Sequence, residues 1–294
     1  MIRSVYKVIK QLILDTTRRF KKIVPCYIPL LFSDLLDGKT ALITGATSGI
    51  GKAIAIAFLR SKASVILTGR NQEKLDTLKK DLELLNDGKY KDKFEIALFD
   101  VSNIAEIEKQ FSKIIKETKF HLIDILVNNA GINYGFEFGK TVKADFEKIV
   151  ATNFEGLYFL SQCVAHYMKD NKIQGNILNI LSSSSNRPAI SAYACSKWAA
   201  KALTLGMAKS LIPYGIVVNG LAPGPTSTPM LIKDGYDGIE LKQSPAGRYA
   251  SAEEIANMAV ILTSSLGRML VGDTVMMTGG AGVITFDDIP YHFE

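Results

Sequence analysis

One stretch near residue 40 constrains the fold more than any other: an apolar run, then a glycine-rich turn, then a helical pattern. The apolar run covers residues 39–44, the turn covers 44–51, and residues 53–59 repeat apolar side chains at helical spacing. A strand that leads through such a turn into a helix is typical of the first unit of a nucleotide-binding α/β fold. A tight turn that binds no ligand is the alternative left open.

The glycine-rich turn has the composition of a phosphate-binding loop. We expect Gly45 to make the tight turn, and Gly49 and Gly51 to let the backbone approach a pyrophosphate and the helix approach the strand. The start of the helix then offers free N–H groups and partial positive charge to the anion. The predicted cofactor-binding residues of the turn are Gly45, Thr47, Ser48, Gly49, Ile50 and Gly51.

Strand and helix patterns alternate along the rest of the chain. The further predicted strands cover residues 64–68, 94–99, 123–127, 175–181, 215–221 and 271–277. Alternation without a break in composition predicts an α/β fold, a single doubly wound domain with a parallel sheet and helices on both faces. This domain covers residues 37–294, and residues 1–36 form a basic amphipathic arm before it.

Charge and cysteine content limit the class of partner. The formal net charge of +6 is concentrated in the arm, so the domain has no basic excess that would suggest nucleic acid. The cysteines and histidines are widely separated, which predicts no disulfide framework, no metal site and a reducing compartment, the cytoplasm. They are Cys26, Cys163, Cys195, His121, His166 and His292.

The arm combines apolar residues at helical spacing with basic residues between them over residues 2–24. The apolar stretch at 24–32 is too short and too interrupted to span a bilayer. Three interpretations stay open: peripheral contact of residues 1–24 with an anionic membrane, packing against the domain or a partner subunit, and disorder.

Arg70 bears on the choice of cofactor. It follows the second predicted strand, about twenty residues past the glycines, where nucleotide-binding folds place an acid that binds the ribose hydroxyls of NAD. A guanidinium at this place suits a 2′-phosphate, so NADP(H) is favoured over NAD(H). The alternative is that Arg70 faces solvent and that both cofactors bind.

Polar groups also follow the third and fourth predicted strands. Asp100 and Val101 end the third strand, and Asp100 either accepts a hydrogen bond from the adenine amino group or caps the next helix. Asn128, Ala130 and Gly131 follow the fourth strand, where amides need buried partners. We expect this turn to hold the central strand and to close over the adenosine ribose.

Tyr193 and Lys197 carry the predicted chemistry. They lie four residues apart on one face of a helix, so the ammonium should favour the phenolate and lower the pKa of the tyrosine. A pKa nearer neutrality suits an acid or base in proton transfer. Asn153 and Gly156 are unfavourable inside the apolar helix predicted at 144–169, which indicates either a function or a capped or kinked helix.

The motifs described above, taken in their order along the chain, resemble those of the short-chain dehydrogenases/reductases, in particular the 3-oxoacyl-(acyl carrier protein) reductase type. The resemblance covers about residues 37–283. It implies the strand order 3-2-1-4-5-6-7 and a homodimer or homotetramer. The motifs that carry it are residues 44–51, 128–131, Asn153, Ser182, Tyr193 and Lys197.

The resemblance also implies roles for a catalytic tetrad of Asn153, Ser182, Tyr193 and Lys197. Tyr193 would give a proton to a carbonyl oxygen that Ser182 holds, Lys197 would also bind the nicotinamide ribose, and Asn153 would hold a water for proton resupply. Ser182 is chosen over Ser183 because it directly follows the predicted strand, although its gap to Tyr193 leaves the choice open by one position.

After the sixth predicted strand, the resemblance implies a turn that meets the nicotinamide carboxamide. The alternative is a simple rigid Pro-Gly-Pro loop. The matching residues are Pro223, Gly224, Thr226 and Thr228. Residues 230–247 are predicted to form a mobile lid in which Met230, Leu231 and Tyr236 make an apolar wall.

The sequence therefore predicts an NADP(H)-dependent oxidoreductase that reduces a small-molecule carbonyl, with a tyrosine as acid and base. A second interpretation is the reverse reaction, the oxidation of a secondary alcohol or sugar hydroxyl. A third, of another class, is a nucleotide-sensing or scaffold protein without turnover. The intact tetrad argues against the third.

Overall fold

The computed structural model describes most of the predicted domain. The predictions for the arm before residue 34, and for Leu231 and Tyr236 in the lid, lie outside the described residues. The described residues are 34–120, 122–134, 138–230, 241 and 244–284. Within them, no helix is both long and apolar enough to cross a membrane.

Within the described residues, seven parallel strands form one sheet in the order β3-β2-β1-β4-β5-β6-β7, which confirms the predicted order. From β1 the chain continues to β2 and β3 on one side, and it then crosses back to place β4 on the other side of β1. Ligands of open α/β sheets bind outside the carboxyl ends of strands at such a switch point. The strands are β1 Thr40–Ile43, β2 Ser64–Gly69, β3 Phe94–Leu98, β4 Ile125–Asn128, β5 Asn176–Ile180, β6 Val217–Pro223 and β7 Thr274–Met277.

Helices cover both faces of the sheet. The helices are α1 Gly49–Arg60, α2 Gln72–Leu84, α3 Ile107–Glu117, α4 Lys143–Val150, α5 Gly156–Asp170, α6 Ala192–Leu211 and α7 Ala252–Thr263. α1, α2 and α7 bury apolar residues in one core, and α3, α5 and α6 contribute to the other. Because side chains alternate along a strand, Ala41 and Ile43 of β1 enter the first core and Leu42 enters the second.

The helix predicted across residues 144–169 is interrupted. α4 and α5 are joined by a π-helical segment, Ala151–Glu155, which holds Asn153 buried. π-helical insertions recur at functional sites. At Gly156, a Cβ atom would collide with the carbonyl oxygen of Val101, so the glycine lets α5 pack closely on the turn after β3. Both residues that look unfavourable in the sequence therefore have a structural role.

Candidate active site

A crevice of about 550 Å³ lies beyond the carboxyl ends of the strands, between the turns that follow the six strands β1 to β6. All but two of the residues assigned to the site from the sequence line this crevice. The exceptions are Asn128 and Asn153, which lie behind its wall.

The glycine-rich turn packs tightly against the turn after β4. Gly45 has a φ of +62°, and a Cβ there would lie 2.8 Å from the Cα of Ala130. At Gly51, a Cβ would collide with the carbonyl oxygen of Gly45 and with the side-chain nitrogen Nδ2 of Asn129. Side chains at these positions would push the two turns apart, so the glycines set the shape of the crevice floor.

Asn129 joins the two turns, as expected of a turn that holds the central strand. Its Nδ2 donates hydrogen bonds to the carbonyl oxygens of Thr44 (2.9 Å) and Gly45 (3.0 Å). In return, the Thr44 hydroxyl oxygen accepts from the backbone N–H groups of Asn129 (3.0 Å) and Ala130 (3.1 Å). The reciprocal bonds fix the glycine-rich turn to the central strand.

The start of α1 is left open to an anion. Its N-cap, Ser48, makes no side-chain capping bond, and its first turn holds no acidic residue. Three other helices, α2, α6 and α7, are capped by the side chains of Asn71, Ser191 and Ser251, whereas α3 and α4 also make no side-chain capping bond. Helix-start N–H groups without a side-chain partner, above a close-packed glycine turn, fit the diphosphate of a dinucleotide.

Two cations line the crevice at the end of β2. Arg70 and Lys74 are both exposed, and neither side chain has a hydrogen bond or ion pair with the part of the chain that the structure describes. A Cβ at Gly69 would lie 2.9 Å from the Cγ2 of Thr47, so this strand end lies close against the glycine-rich turn. The sequence analysis singled out Arg70 and missed Lys74, which is one turn further along.

Asp100 lines the crevice but does not cap the next helix. Its Oδ1 accepts hydrogen bonds from the backbone N–H of Ser102 (2.9 Å) and from the Ser102 hydroxyl (2.7 Å). A 3₁₀ turn with Asn103 at its N-cap precedes α3. The capping alternative for Asp100 is therefore wrong.

Asn128 supports the sheet rather than lining the crevice. Its Nδ2 donates to the hydroxyl oxygen of Ser161 (2.8 Å) and to the Oδ1 of Asn179 (2.9 Å), and Asn179 donates to Thr204 (2.9 Å). This buried network ties β4 and β5 to α5 and α6, and satisfied buried amides rigidify a core. This position agrees with the expectation that the turn holds the central strand, and the contact of the turn with a ribose stays a prediction.

Asn153 clamps the backbone next to the crevice. Its Oδ1 accepts from the N–H of Ile132 (2.8 Å), and its Nδ2 donates to the Ile132 carbonyl (3.0 Å) and to the Ser196 hydroxyl (3.2 Å). These bonds occupy the side-chain amide of Asn153 and fix the position of the chain after Gly131. A Cβ at Gly131 would lie 3.7 Å from the Nζ of Lys197, so the clamped segment borders that ammonium.

Ser182, Tyr193 and Lys197 meet at the other end of the crevice. Tyr193 lies in the first turn of α6, and Lys197, one turn further, places its Nζ 5.8 Å from the centre of the tyrosine ring. The Nζ of Lys197 donates to the carbonyl oxygen of Ile180 (2.7 Å). Ser182 directly follows β5, and it is the serine whose side chain hydrogen-bonds with the Tyr193 hydroxyl. Ser183 also lines the crevice.

Burial shifts both titratable groups of this cluster. It raises the pKa of Tyr193, and the hydrogen bond with Ser182 lowers that pKa by a smaller amount. Burial also lowers the pKa of Lys197 to about 8, and no described carboxylate forms an ion pair with it. The prediction of a lowered tyrosine pKa is therefore wrong for this structure. The reason is that loss of hydration disfavours phenolate and ammonium alike.

The loop after β6 completes the crevice. Thr226 is buried, and its hydroxyl donates to the carbonyl oxygen of Gly224 (3.0 Å). A Cβ at Gly224 would lie 2.7 Å from the Cα of Thr278, and one at Gly49 would lie 3.4 Å from the Thr228 side chain. The loop thus lies between the strand edge and the glycine-rich turn.

Two further residues line the crevice. Met230 lines the crevice, as expected for an apolar wall, and Arg187 also lines it although the sequence analysis gave it no role. Cys195 is exposed on α6 and lies outside the lining. No group of three or more potential metal ligands occurs among the described residues.

Comparison with known proteins agrees with this geometry. The family model of the short chain dehydrogenases matches residues 39–237. Gluconate 5-dehydrogenase of Gluconobacter oxydans is 37% identical over 87% of this chain and 98% of its own length. The 3-oxoacyl-[acyl-carrier-protein] reductase of Thermotoga maritima is 33% identical over 83% of this chain and 98% of its own.

A solved structure shows the same likeness in three dimensions. The gluconate 5-dehydrogenase of Burkholderia cenocepacia, in complex with NADP and tartrate, superposes with a TM-score of 0.75 at 32% identity. The match covers 85% of this chain and 98% of that chain. The similarity therefore extends over the whole domain.

Proposed function

The chain belongs to the short chain dehydrogenase family of oxidoreductases, and from this premise we propose that it transfers a hydride between NADP(H) and a small-molecule carbonyl or secondary alcohol. One observation carries the proposal: Ser182, Tyr193 and Lys197 meet in the same crevice as the glycine-rich turn and the open start of α1. A proton-transfer group and a dinucleotide cradle in one crevice suit this reaction.

Tyr193 is the proposed acid and base. In reduction it donates its proton to the substrate carbonyl oxygen, and the Ser182 hydroxyl donates a hydrogen bond to the same oxygen. The nicotinamide, when bound, supplies or accepts the hydride. Because burial raises the pKa of Tyr193, the phenol keeps the proton that carbonyl reduction requires. Lys197 stabilises the phenolate that remains, and Asn153 positions the neighbouring turn.

The reaction is tested by NADPH oxidation against acyl thioesters, ketosteroids, quinones and keto sugars, with wild type and Tyr193→Phe. We expect turnover to fall by about 10²–10⁴-fold in the variant, because the proton donor is lost. Tyr214→Phe is the matched control, since Tyr214 is exposed and outside the crevice lining. Undiminished turnover of Tyr193→Phe would refute the mechanism.

The choice of NADP(H) rests on Arg70 and Lys74. Both are cations without a described partner at the place where a 2′-phosphate is expected, and paired guanidinium–phosphate bonds are strong. The related Burkholderia enzyme was solved with NADP. Asp100 remains a proposed partner of the adenine on the same side of the crevice.

The cofactor assignment is tested by measuring KM for NADPH and NADH in Arg70→Ala and Lys74→Ala. Each change should raise the KM for NADPH by about 10- to 100-fold, since hydrogen bonds to charged groups contribute about 1.5–3 kcal/mol. The KM for NADH should change little. Arg60→Ala, an exposed arginine of α1 outside the crevice, controls for the loss of one positive charge. Equal losses for both cofactors would overturn the assignment.

Oxidation of a sugar hydroxyl is the second candidate. It is supported by the likeness to gluconate 5-dehydrogenase, at 37% identity. The likeness to an oxoacyl reductase, at 33%, supports reduction of an acyl thioester instead. Comparing gluconate and NADP with a 3-oxoacyl thioester and NADPH as substrates separates the two.

A homo-oligomer is the proposed assembly. Three successive helices, α4 to α6, expose large apolar side chains that a subunit interface would cover. They are Phe146, Tyr158, Phe159, Trp198 and Leu205. Sedimentation velocity should give a dimer or tetramer, and a monomer at micromolar concentration would contradict the proposal.

A further inference from the structure

Arg187 is a cation in the crevice that the proposed mechanism does not use. It lies between β5 and α6, five residues after Ser182 and six before Tyr193. Its side chain lines the crevice together with both of them. Among the described lining residues, Asp100 is the one carboxylate, and it belongs to the turn after β3 on the other side of the central strands.

The guanidinium of Arg187 is partly buried without a partner. Its Nε is inaccessible to solvent and makes no hydrogen bond within the described part of the chain. No described carboxylate forms an ion pair with it either. A buried donor without an acceptor is costly, and such groups in native structures call for an explanation such as a ligand.

The backbone around Arg187 is held in place. The indole Nε1 of Trp198 donates to the Arg187 carbonyl oxygen (2.8 Å), and Trp198 directly follows Lys197 on α6. The guanidinium lies flat against Gly282, where a Cβ would collide with its Nε. Gly282 has a φ of +71°, so both conformation and space favour glycine there. The arginine is therefore seated by groups on two sides of the crevice end.

An unpaired guanidinium that lines the same crevice as a proton donor is suited to a carboxylate. Arginine offers two parallel N–H donors that match the two oxygens of a carboxylate, and such pairs are strong and directional. An acid would give the guanidinium an acceptor at its terminal nitrogens, and a neutral substrate of the same shape would leave it without one. Sites with buried polar groups reject analogues that leave those groups unpaired.

We propose that Arg187 binds the carboxylate of the substrate, so that the enzyme acts on oxo acids or the corresponding hydroxy acids in preference to neutral carbonyl compounds. This inference rests on the proposed function and names its substrate class. Arg187 holds the acid end of the molecule while Ser182 and Tyr193 act on the oxygen of the reacting carbon. The reaction that supplies the substrate then yields an oxo acid or a hydroxy acid rather than a neutral ketone or alcohol.

The test measures kcat/KM with NADPH for oxo acids of increasing spacing between carbonyl and carboxylate, each beside its methyl ester. 4-Oxopentanoate, 5-oxohexanoate and 5-keto-D-gluconate supply the series. Wild type should prefer the acid at one spacing. Arg187→Met should lower kcat/KM for that acid by about 30- to 300-fold, mainly through KM, and change the ester by less than about threefold.

Two more variants separate binding from structure. Arg187→Lys keeps the charge but not the paired donors, so it should recover only part of the preference for the acid. Added guanidinium chloride should restore part of the acid turnover in Arg187→Ala, which a merely structural role would not allow. Arg60→Met, outside the crevice, should leave the acid-to-ester ratio unchanged.

Calorimetric binding of an unreactive acid, hexanoate, to the NADPH-bound protein distinguishes this inference from the proposed function. Hexanoate binding that survives Tyr193→Phe and disappears in Arg187→Met supports the carboxylate site whether or not turnover is found. Equal losses for acid and ester in Arg187→Met, or a wild type that binds and turns over both alike, would overturn it.

Discussion

The two halves of the crevice differ in the groups that line them, backbone in one and side chains in the other. On the β1–β2 side, the structure offers backbone: close-packed glycines and the uncapped start of α1, with exposed cations at the rim. On the β5–α6 side it offers side chains, Ser182 and Lys197 buried and Tyr193 partly so. The first half is expected to set dinucleotide affinity, and the second to set rate.

The two halves also differ in their effect on the stability of the fold. The tight glycine turn stabilises the fold, because its bonds join β1 and β4. The buried ammonium of Lys197 opposes folding, because charge is removed from water without an ion-pair partner among the described residues. Proteins tolerate such local conflicts where function requires them.

Replacing the buried ammonium should give the largest effect. Lys197→Met should lower turnover by about 10²–10⁴-fold. It should also raise the free energy of unfolding at pH 7 by about 1–3 kcal/mol, because a pKa lowered from 10.5 to about 8 marks a costly charge. Urea unfolding and steady-state kinetics measure both. Lys209→Met, exposed on the same helix, should change neither, and a Lys197→Met protein less stable than wild type would contradict the comparison.

A methyl group added to the glycine-rich turn should weaken NADPH binding and lower the stability of the fold. Gly51→Ala places a Cβ against Gly45 and Asn129, and should lower the free energy of unfolding by about 1–3 kcal/mol and weaken NADPH binding. Gly206→Ala on α6 is the control, since a Cβ there meets nothing within 4 Å. It should stabilise the helix by about 0.5–1 kcal/mol. If Gly51→Ala bound NADPH as wild type does, the packing argument would fail.

Lys197 should give activity and stability opposite pH dependences. The folded protein loses the Lys197 proton near pH 8, whereas the unfolded chain keeps it to about 10.5. Between these values the unfolded state binds more protons, so stability rises with pH relative to Lys197→Met. In the same window kcat/KM for reduction should fall by up to about tenfold per pH unit, because the cation beside Tyr193 is lost. A parallel rise of both would exclude this assignment.

The smallest effects should distinguish two helix starts. Ser251 caps α7 in a capping box with Glu254, so Ser251→Ala should cost about 1 kcal/mol of stability and leave the KM for NADPH unchanged. Ser48 makes no capping bond, so Ser48→Ala should leave stability within about 0.5 kcal/mol and raise that KM. Thermal unfolding and kinetics on the two variants check this, and the reverse pattern would show that α1 is not kept open for a ligand.

Local sequence patterns predicted the backbone half well. The alternation of strands and helices and the turn after β1 are confirmed, because such patterns act over a few positions. The strand order, which the family resemblance implied, is confirmed as well. Strand ends shifted by one to three residues, as at β7, which begins at Thr274 rather than at residue 271. Hydrogen bonds with neighbouring strands decide those ends, and the sequence alone does not show them.

The side-chain half was predicted less completely. The direction of the Tyr193 pKa shift was wrong because burial depends on elements distant in sequence. Arg187 was missed for a related reason, since the surface on which it lies is formed by Gly282. The turn of Asn129 was expected to hold the central strand, but the partners of Asn129, 84 or 85 residues away, could not be identified from the sequence. Nothing local marked Arg187.

NADPH binding to Tyr193→Phe tests the separation of the two halves most directly. Titration of NADPH fluorescence should give a Kd within about threefold of wild type, while turnover of the best carbonyl substrate falls by about 10²–10⁴-fold. Affinity and turnover lost together, or both retained, would contradict the account that backbone holds the dinucleotide and side chains perform the proton transfer.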